Sequence, residues 1–306
     1  MPMSPVREMH RLLGQKYPNL ERVWANAIAQ NGPGWEAELS YLIEQVFGGS
    51  PSARWEEAID GYAEFCIEAL RAQVFFEKHG RYQASNYAEV VQRCYHDADY
   101  MTRRYLPGQF LSHFVWPHHN KMLHRYLDEL LPTLRADVKV FYEIGVGCGM
   151  YSLQTLRRLE GVQGVGYDIS QYSTAFTRRV VDACGLRDRY EVSNQDIVAA
   201  RPARTADFVI NQEVLEHLED PAGFIKGLLH TVRPGGWGYI TAAVNAAHTD
   251  HIYLYRSPDE VRVHVTEAGW IVKDAQVESA YPEKPVALRP TIVGFLVQRP
   301  FDPPKA

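Results

Sequence analysis

Cysteine is scarce in this chain, and what there is does not pair up by spacing. Only four occur, Cys66, Cys94, Cys148 and Cys184, with no C-x-x-C among them. That argues against a disulfide framework or a cysteine zinc site and fits a reducing, cytoplasmic setting. Long apolar runs are missing too. None reaches the ~18 residues a membrane span needs, and the N-terminus "MPMSPVREMHRLLGQ" has no apolar core of the signal-peptide kind. Basic clusters are equally rare. The formal net charge is −5, and the first 133 residues hold no Lys/Arg cluster beyond Arg103-Arg104. Nucleic acid is therefore not the expected partner. There is no internal repeat and no low-complexity tract. What remains is a chain with 46% apolar and 23% charged residues, the profile of a soluble globular protein. Its 306 residues suffice for one large domain or two ordinary ones. The oligomeric state is left open, with a homodimer as one option.

Two textures divide the sequence. Residues 1–133 read as helical. The stretch 53–80 places Ala58, Tyr62, Phe65, Ile67, Ala69 and Leu70 near one face and stops at Gly80. A second helix is expected over 85–108, capped by Ser85 or Asn86 and closed by Pro107-Gly108. A third is expected over 117–134, opened by Pro117. From about residue 137 strands and helices alternate, which predicts an α/β fold with a parallel sheet covered on both faces. Residues 213–231 read as helical in this half, with a break at Pro221. The last two strands follow each other directly and can pair antiparallel at one edge. The expected division is a helical cover, 1–133, and an α/β domain, 134–306, with a weak boundary across which the two pack directly.

The stretch "FYEIGVGCGMYS" (141–152) puts a tight glycine turn between a strand and a helix, where open parallel sheets bind ligands. A dinucleotide fingerprint needs G-x-G-x-x-G, with its third glycine at position 150, which is Met150. That opposes the remote alternative of an NAD-dependent oxidoreductase. Glu143, just before the turn, also disfavours a diphosphate and suits a ligand carrying positive charge.

In this stretch and in four more that follow in order, the chain resembles the class I S-adenosylmethionine-dependent methyltransferases. "YEIGVGCG" resembles their first motif. "GVGYDIS" ends the second strand with Asp168, "SNQDI" supplies Asp196 and Ile197, and "DFVINQEVLEHLEDP" and "LLHTVRPGGWGYIT" resemble the later elements. The resemblance spans roughly residues 138–298. It implies a Rossmann-like, seven-stranded, mostly parallel sheet with the last strand reversed, and S-adenosylmethionine as cofactor. It implies cofactor contacts from Glu143, Gly145, Gly147, Gly149, Asp168, Ile169, Asp196, Ile197 and Gln212, with Asp168 on the ribose hydroxyls and Asp196 and Ile197 at the adenine.

Methyl transfer needs alignment and, for some acceptors, removal of a proton. Histidine is the natural base near neutral pH. His217 in "EVLEH" and His251 in "HTDHIYLYRS" each follow a strand of the site and are the expected catalytic residues. Glu213, Glu216 and His217 stand at helical i, i+3, i+4 spacing and, with His251, could hold Mg²⁺, Mn²⁺ or Zn²⁺. That pattern resembles the metal site of small-RNA 2′-O-methyltransferases and of some ubiquinone-pathway O-methyltransferases, but "EVLEH" also occurs in relatives without metal, so direct contact is favoured. Five tyrosines, Tyr82, Tyr87, Tyr95, Tyr100 and Tyr105, fall within 24 residues. Tyr100, Tyr105, Trp116 and His119 are the candidate acceptor contacts. The function expected is methyl transfer to a biosynthetic small molecule at O, N or C, with a metal-assisted RNA 2′-O-methyltransferase as the alternative.

Overall fold

The computed structural model describes residues 3–49, 53–197 and 199–303. Seven strands form one sheet: β1 Val140–Ile144, β2 Gln163–Asp168, β3 Tyr190–Asn194, β4 Ala206–Asn211, β5 Val232–Val244, β6 Ile271–Ser279 and β7 Thr291–Gln298. Their order is β3-β2-β1-β4-β5-β7-β6. The first five run parallel, and β7 lies antiparallel between β5 and β6. The reversed strand is therefore internal and β6 is the edge. The chain leaves β1 for β2 and β3 on one side, then returns to β4 on the other. The crevice this opens lies beyond the ends of β1 and β4, at Gly145 and Gln212.

The N-terminal half is helical. Helices α1 Pro5–Lys16, α2 Pro18–Gln30, α3 Pro33–Phe47 and α4 Ala53–His79 come first. Of the face read for α4, Ala58, Tyr62 and Phe65 are buried, whereas Leu70 is 46% exposed. The helix expected over 85–108 is not continuous. Asn86 caps α5 Tyr87–Val90 by accepting the Glu89 amide, and two π-helical turns follow, Val91–Tyr95 and Tyr100–Tyr105, on either side of a break at 96–97.

Pro107-Gly108 does not end this helix. It sits in the first turn of α6 Leu106–Val115. Pro107 has no N–H to give the carbonyl of Arg103, so the helix continues with that carbonyl turned onto α4 at Gly61. A Cβ on Gly61 would lie 2.1 Å from it, so only glycine fits there. The next helix, α7 Pro117–Arg125, opens at Pro117 as expected. It passes through a π-helical turn, Tyr126–Leu130, into α8 Leu131–Leu134.

Helices α9 Met150–Arg158, α10 Gln171–Ala183, α11 Pro221–Leu229 and α12 Pro258–Glu267 complete the α/β part. Pro221 starts α11 rather than breaking a helix, and residues before it form a loop with one 3₁₀ turn, Leu215–His217. One core cluster joins Trp24, Tyr62, Phe110 and Tyr126 of the helical half to Tyr151 and Phe208 of the α/β half. The helical half and one sheet face thus share a single buried interior. A second cluster on the other face packs α11 and α12 against β4, β5 and β7.

Candidate functional site

The turn after β1 turns left-handed at Gly145 (φ 78°), Gly147 (φ 50°) and Gly149 (φ 74°). Gly147 is also sterically confined, since a Cβ there would lie 2.7 Å from Oε1 of Gln109. Asp168, at the end of β2, braces the turn. Its Oδ2 accepts the Gly147 amide at 3.1 Å and its Oδ1 the Ser170 amide at 2.8 Å. Burial pushes its pKa up to about 6 against the pull of those amides.

A cleft of about 460 Å³ opens here, bordered by Gly145, Gly147, Asp168, Ile169, Asp196, Ile197 and Gln212 from the sequence reading, and by Tyr87 and Tyr95 from the helical half. Two residues of that reading serve elsewhere. Glu143 is buried, and its Oε2 accepts the Ser152 amide in the first turn of α9 at 2.8 Å. Burial raises its pKa to about 8. Its carboxylate thus faces the helix start, where the dipole favours it, and not the cleft. Gly149 is the residue preceding α9, packed on Thr177, so it shapes the turn from behind.

A second, larger cavity of about 730 Å³ lies between the helical half and the ends of β5 and β7. His217, His251, Trp116 and His119 border it. Tyr105, Gln109, Gln212, Glu213 and His217 border both cavities and form the passage between them. Tyr100 does not belong with them. It packs behind Tyr105, ring centroids 5.8 Å apart, and its hydroxyl is hydrogen-bonded to Thr249 at 2.9 Å.

The two catalytic candidates do meet. Their rings lie edge to face with centroids 4.8 Å apart. Backbone pairing brings them together, because the carbonyl of Glu216 accepts the amides of Ile252 and Tyr253 at 2.8 and 2.9 Å. The Nδ1 of His251 donates to the Ala246 carbonyl at 2.8 Å, which leaves Nε2 with its lone pair. Burial and the neighbouring His217 hold its pKa down at about 3, so it is neutral. The Nδ1 of His217 lies 3.0 Å from the Tyr95 hydroxyl, 3.2 Å from the carbonyl of Asp250 and 3.4 Å from its Oδ2; with the Tyr95 hydroxyl donating to that Oδ2, Nδ1 faces acceptors only and carries the proton. Its Nε2 is left free to accept.

Asp250 is the hub of this group and was not singled out by its sequence position. It accepts from Tyr95 at 3.2 Å and pairs with His248 at 2.8 Å. Burial works to raise its pKa, but His217 and His248 outweigh that and hold it ionised, well below the usual carboxylate range. Gln109 was also missed, although its separation from the glycine turn leaves no local signal. For Asp250 the H-x-D-H spacing of residues 248–251 was such a signal.

The helical face expected for Glu213, Glu216 and His217 does not exist. Glu213 has φ 51° and lies outside the 3₁₀ turn, with its Oε1 accepting from Thr241 at 2.8 Å. The metal-compatible set is instead Glu216, His217 and His251, one ligand atom of each lying within 4.8 Å of the others. Glu216 is fully buried. Its Oε2 accepts the Ala243 amide at 3.3 Å, and its Oε1 has no hydrogen-bond partner. Burial, then Glu213, pushes its pKa up to about 8.

The chain matches the methyltransferase domain family over residues 116–271. A ubiquinone biosynthesis O-methyltransferase of Leptothrix cholodnii is 30% identical over 132 residues, 42% of this chain and 51% of that one. The enzyme of that name from Stutzerimonas stutzeri is 31% identical over 150 residues, 43% of this chain and 65% of that one. The chain thus spans about half to two thirds the length of these curated relatives. The N-methyltransferase NodS of Bradyrhizobium japonicum, solved with S-adenosyl-L-homocysteine, superposes with a TM-score of 0.51 at 16% identity, covering 67% of this chain and 98% of that one. With the seven-stranded sheet, the glycine turn and this match over half its length, the chain belongs to the methyltransferase domain family, in its class I, S-adenosylmethionine-dependent form.

Proposed function

We propose that this protein transfers a methyl group from S-adenosylmethionine to an oxygen of a small-molecule acceptor held in the larger cavity. The observation that carries this is the passage at Tyr105, Gln109, Gln212, Glu213 and His217, where a cleft at the glycine turn meets a separate cavity. S-adenosylmethionine supplies an electrophilic methyl on a sulfonium and leaves as the neutral thioether. The protein's part is to align the acceptor with that methyl and keep bulk water out. His217 Nε2 takes the proton of the acceptor hydroxyl as the new C–O bond forms, and the Asp250 carboxylate behind Nδ1 stabilises the resulting imidazolium. The names of the curated relatives favour oxygen over nitrogen or carbon. Asp168 already occupies the Gly147 amide, which disfavours a diphosphate there. Arg103 and Arg104 are tied to Asp99 and Glu64, so the basic pair of the cover supports no RNA reading.

A second reading rests on the unpartnered Oε1 of Glu216. Glu216, His217 and His251 fit a divalent cation, which would lower the pKa of an acceptor hydroxyl. One experiment addresses both. The protein is incubated with S-adenosylmethionine and a panel of phenols and catechols, with and without EDTA, and products are read by mass spectrometry for a gain of one methylene. With His217 as base, activity survives chelation and His217→Ala reduces turnover by about 10²–10⁴-fold. With a metal, chelation abolishes activity and Mg²⁺, Mn²⁺ or Zn²⁺ restores it. No methylated product from any acceptor, in protein that binds S-adenosylhomocysteine, counts against the oxygen-acceptor reading.

A further inference from the structure

The joint between α6 and α7 brings three histidines to the wall of the larger cavity. His113 lies near the end of α6, and His118 and His119 in the first turn of α7. The rings of His118 and His119 are 4.5 Å apart, and those of His113 and His119 5.7 Å. The other cavity histidines each have a polar partner at one nitrogen, His217 and His248 sharing Asp250 and His251 having the Ala246 carbonyl, although Nε2 of His248 is buried without one. Here His119 reaches only the hydroxyl of Ser112, at 3.2 Å. Nε2 of His113 and Nδ1 of His118 are buried without any hydrogen-bond partner. Among the described residues, no carboxylate lies within ion-pairing distance of the three. Glu77, on the same cavity, is taken by Lys284.

Those two atoms of His113 and His118 are enclosed by protein, so a ligand in the cavity would meet the rings through their other nitrogens, Nδ1 of His113 and Nε2 of His118 and His119, which make no hydrogen bond among the described residues either. The charge around them says what that ligand is. Arg22 also borders the cavity, as does Lys121, which pairs with Glu278 at 3.5 Å, and the first turn of α7 presents the positive end of its dipole. Burial alone lowers the pKa of His113 to about 4, and burial with Lys121 does the same for His118. These imidazoles are neutral for want of a counter-charge, and an anion placed among them would supply it and strengthen each hydrogen bond. Beside them Trp116 stacks on His118, interplanar angle 20°, and lies 5.4 Å from Phe65 at 34°, leaving flat aromatic surfaces on the same wall.

We infer that His113, His118 and His119 form an anion-recognition wall, and that the acceptor is an aromatic acid whose carboxylate docks there while its hydroxyl reaches the passage at His217. This rests on the methyl-transfer reading for the hydroxyl, but not for the carboxylate. The two halves of the cavity differ in the required way, with acidic residues, Glu213 and Glu216, on the sheet side and unpaired imidazoles on the helical side.

The test is a calorimetric titration at pH 7. S-adenosylhomocysteine binding is measured first and reports on the methyl-transfer reading alone. The loaded protein, or the free protein if none binds, is then titrated with 3,4-dihydroxybenzoate and with its neutral amide. The acid is expected to bind about tenfold or more tightly than the amide, the value of a charge-assisted hydrogen bond. His118→Phe keeps a planar ring, and His113→Gln keeps a neutral polar group. Each should lower the affinity for the acid more than for the amide and so shrink the preference. Equal affinities of acid and amide for the wild-type protein, binding of neither, or an undiminished preference in both variants would overturn the inference. The wild-type comparison stands whether or not the variants fold.

Discussion

Oε1 of Gln109 accepts the Cys148 amide at 2.9 Å, so helix α6 of the helical half holds the glycine turn of the α/β half directly. The two residues are 39 positions apart. Gln109 also borders both cavities, which makes it a latch between the cofactor cleft and the acceptor side.

Gln109→Ala should therefore weaken S-adenosylhomocysteine binding by about 1 kcal/mol, roughly fivefold, through one lost hydrogen bond and a looser turn. Calorimetry on the variant, with thermal melting as the check on folding, reads it. An unchanged dissociation constant would mean the turn keeps its shape without the latch.

Asp250 holds His217 in the tautomer that leaves Nε2 free, so it acts on the reaction as a positioning residue. Asp250→Asn keeps the shape and removes the charge. Turnover should fall by at least about 10²-fold, as expected when a base loses its orienting partner, while cofactor affinity stays within error. Asp250→Ala leaves Nδ1 of His217 and of His248 without their carboxylate acceptor and should cost about 1–3 kcal/mol of stability as well. Equal losses of turnover and cofactor binding in Asp250→Asn would argue for a collapsed site instead.

Stability should depend on pH through the buried acid pair. Glu213 and Glu216 both have pKa values raised to about 8, by burial first and, for Glu216, by Glu213 next. The folded chain thus holds these protons more tightly than the unfolded one. Their stabilising contribution is complete below the unfolded carboxylate pKa, about 4.3, and is lost as pH rises through about 8. Asp250 has the opposite sign, and its contribution is lost only as pH falls well below the usual carboxylate range. Above about pH 6.5, the unfolded histidine pKa, the buried neutral imidazoles no longer offset the loss from the acid pair, so thermal melting in EDTA should show Tm falling from there to about pH 8, and Glu216→Gln should flatten that fall. Parallel losses in wild type and variant would remove the carboxyl from the account.

The strand–helix alternation after residue 137 could be read along the chain because its signals are local: apolar runs of strand length, turn glycines, and caps such as Ser257 before Pro258, whose hydroxyl accepts the Glu260 amide. The glycine turn, Asp168 and His217 were legible for the same reason. The helical reading of Glu213–His217 failed because its spacing is ambiguous. A loop pinned by Thr241 and by the Ile252 and Tyr253 amides overrides helix periodicity there. That the Glu143 carboxyl turns to the Ser152 amide was not legible, because its place in the motif says nothing about which way the side chain turns.

By itself, then, the sequence determined the class of sheet, the glycine turn after β1 and the two histidines that follow β4 and β5. Only the tertiary structure decided that Gln109 latches the turn, that Tyr95 and His217, 122 residues apart, share Asp250, and that His113, His118 and His119 border one cavity with Glu213 and Glu216. Those relations are set where helices of the first half pack on strand ends of the second, and long-range contacts of this kind leave no periodicity along the chain.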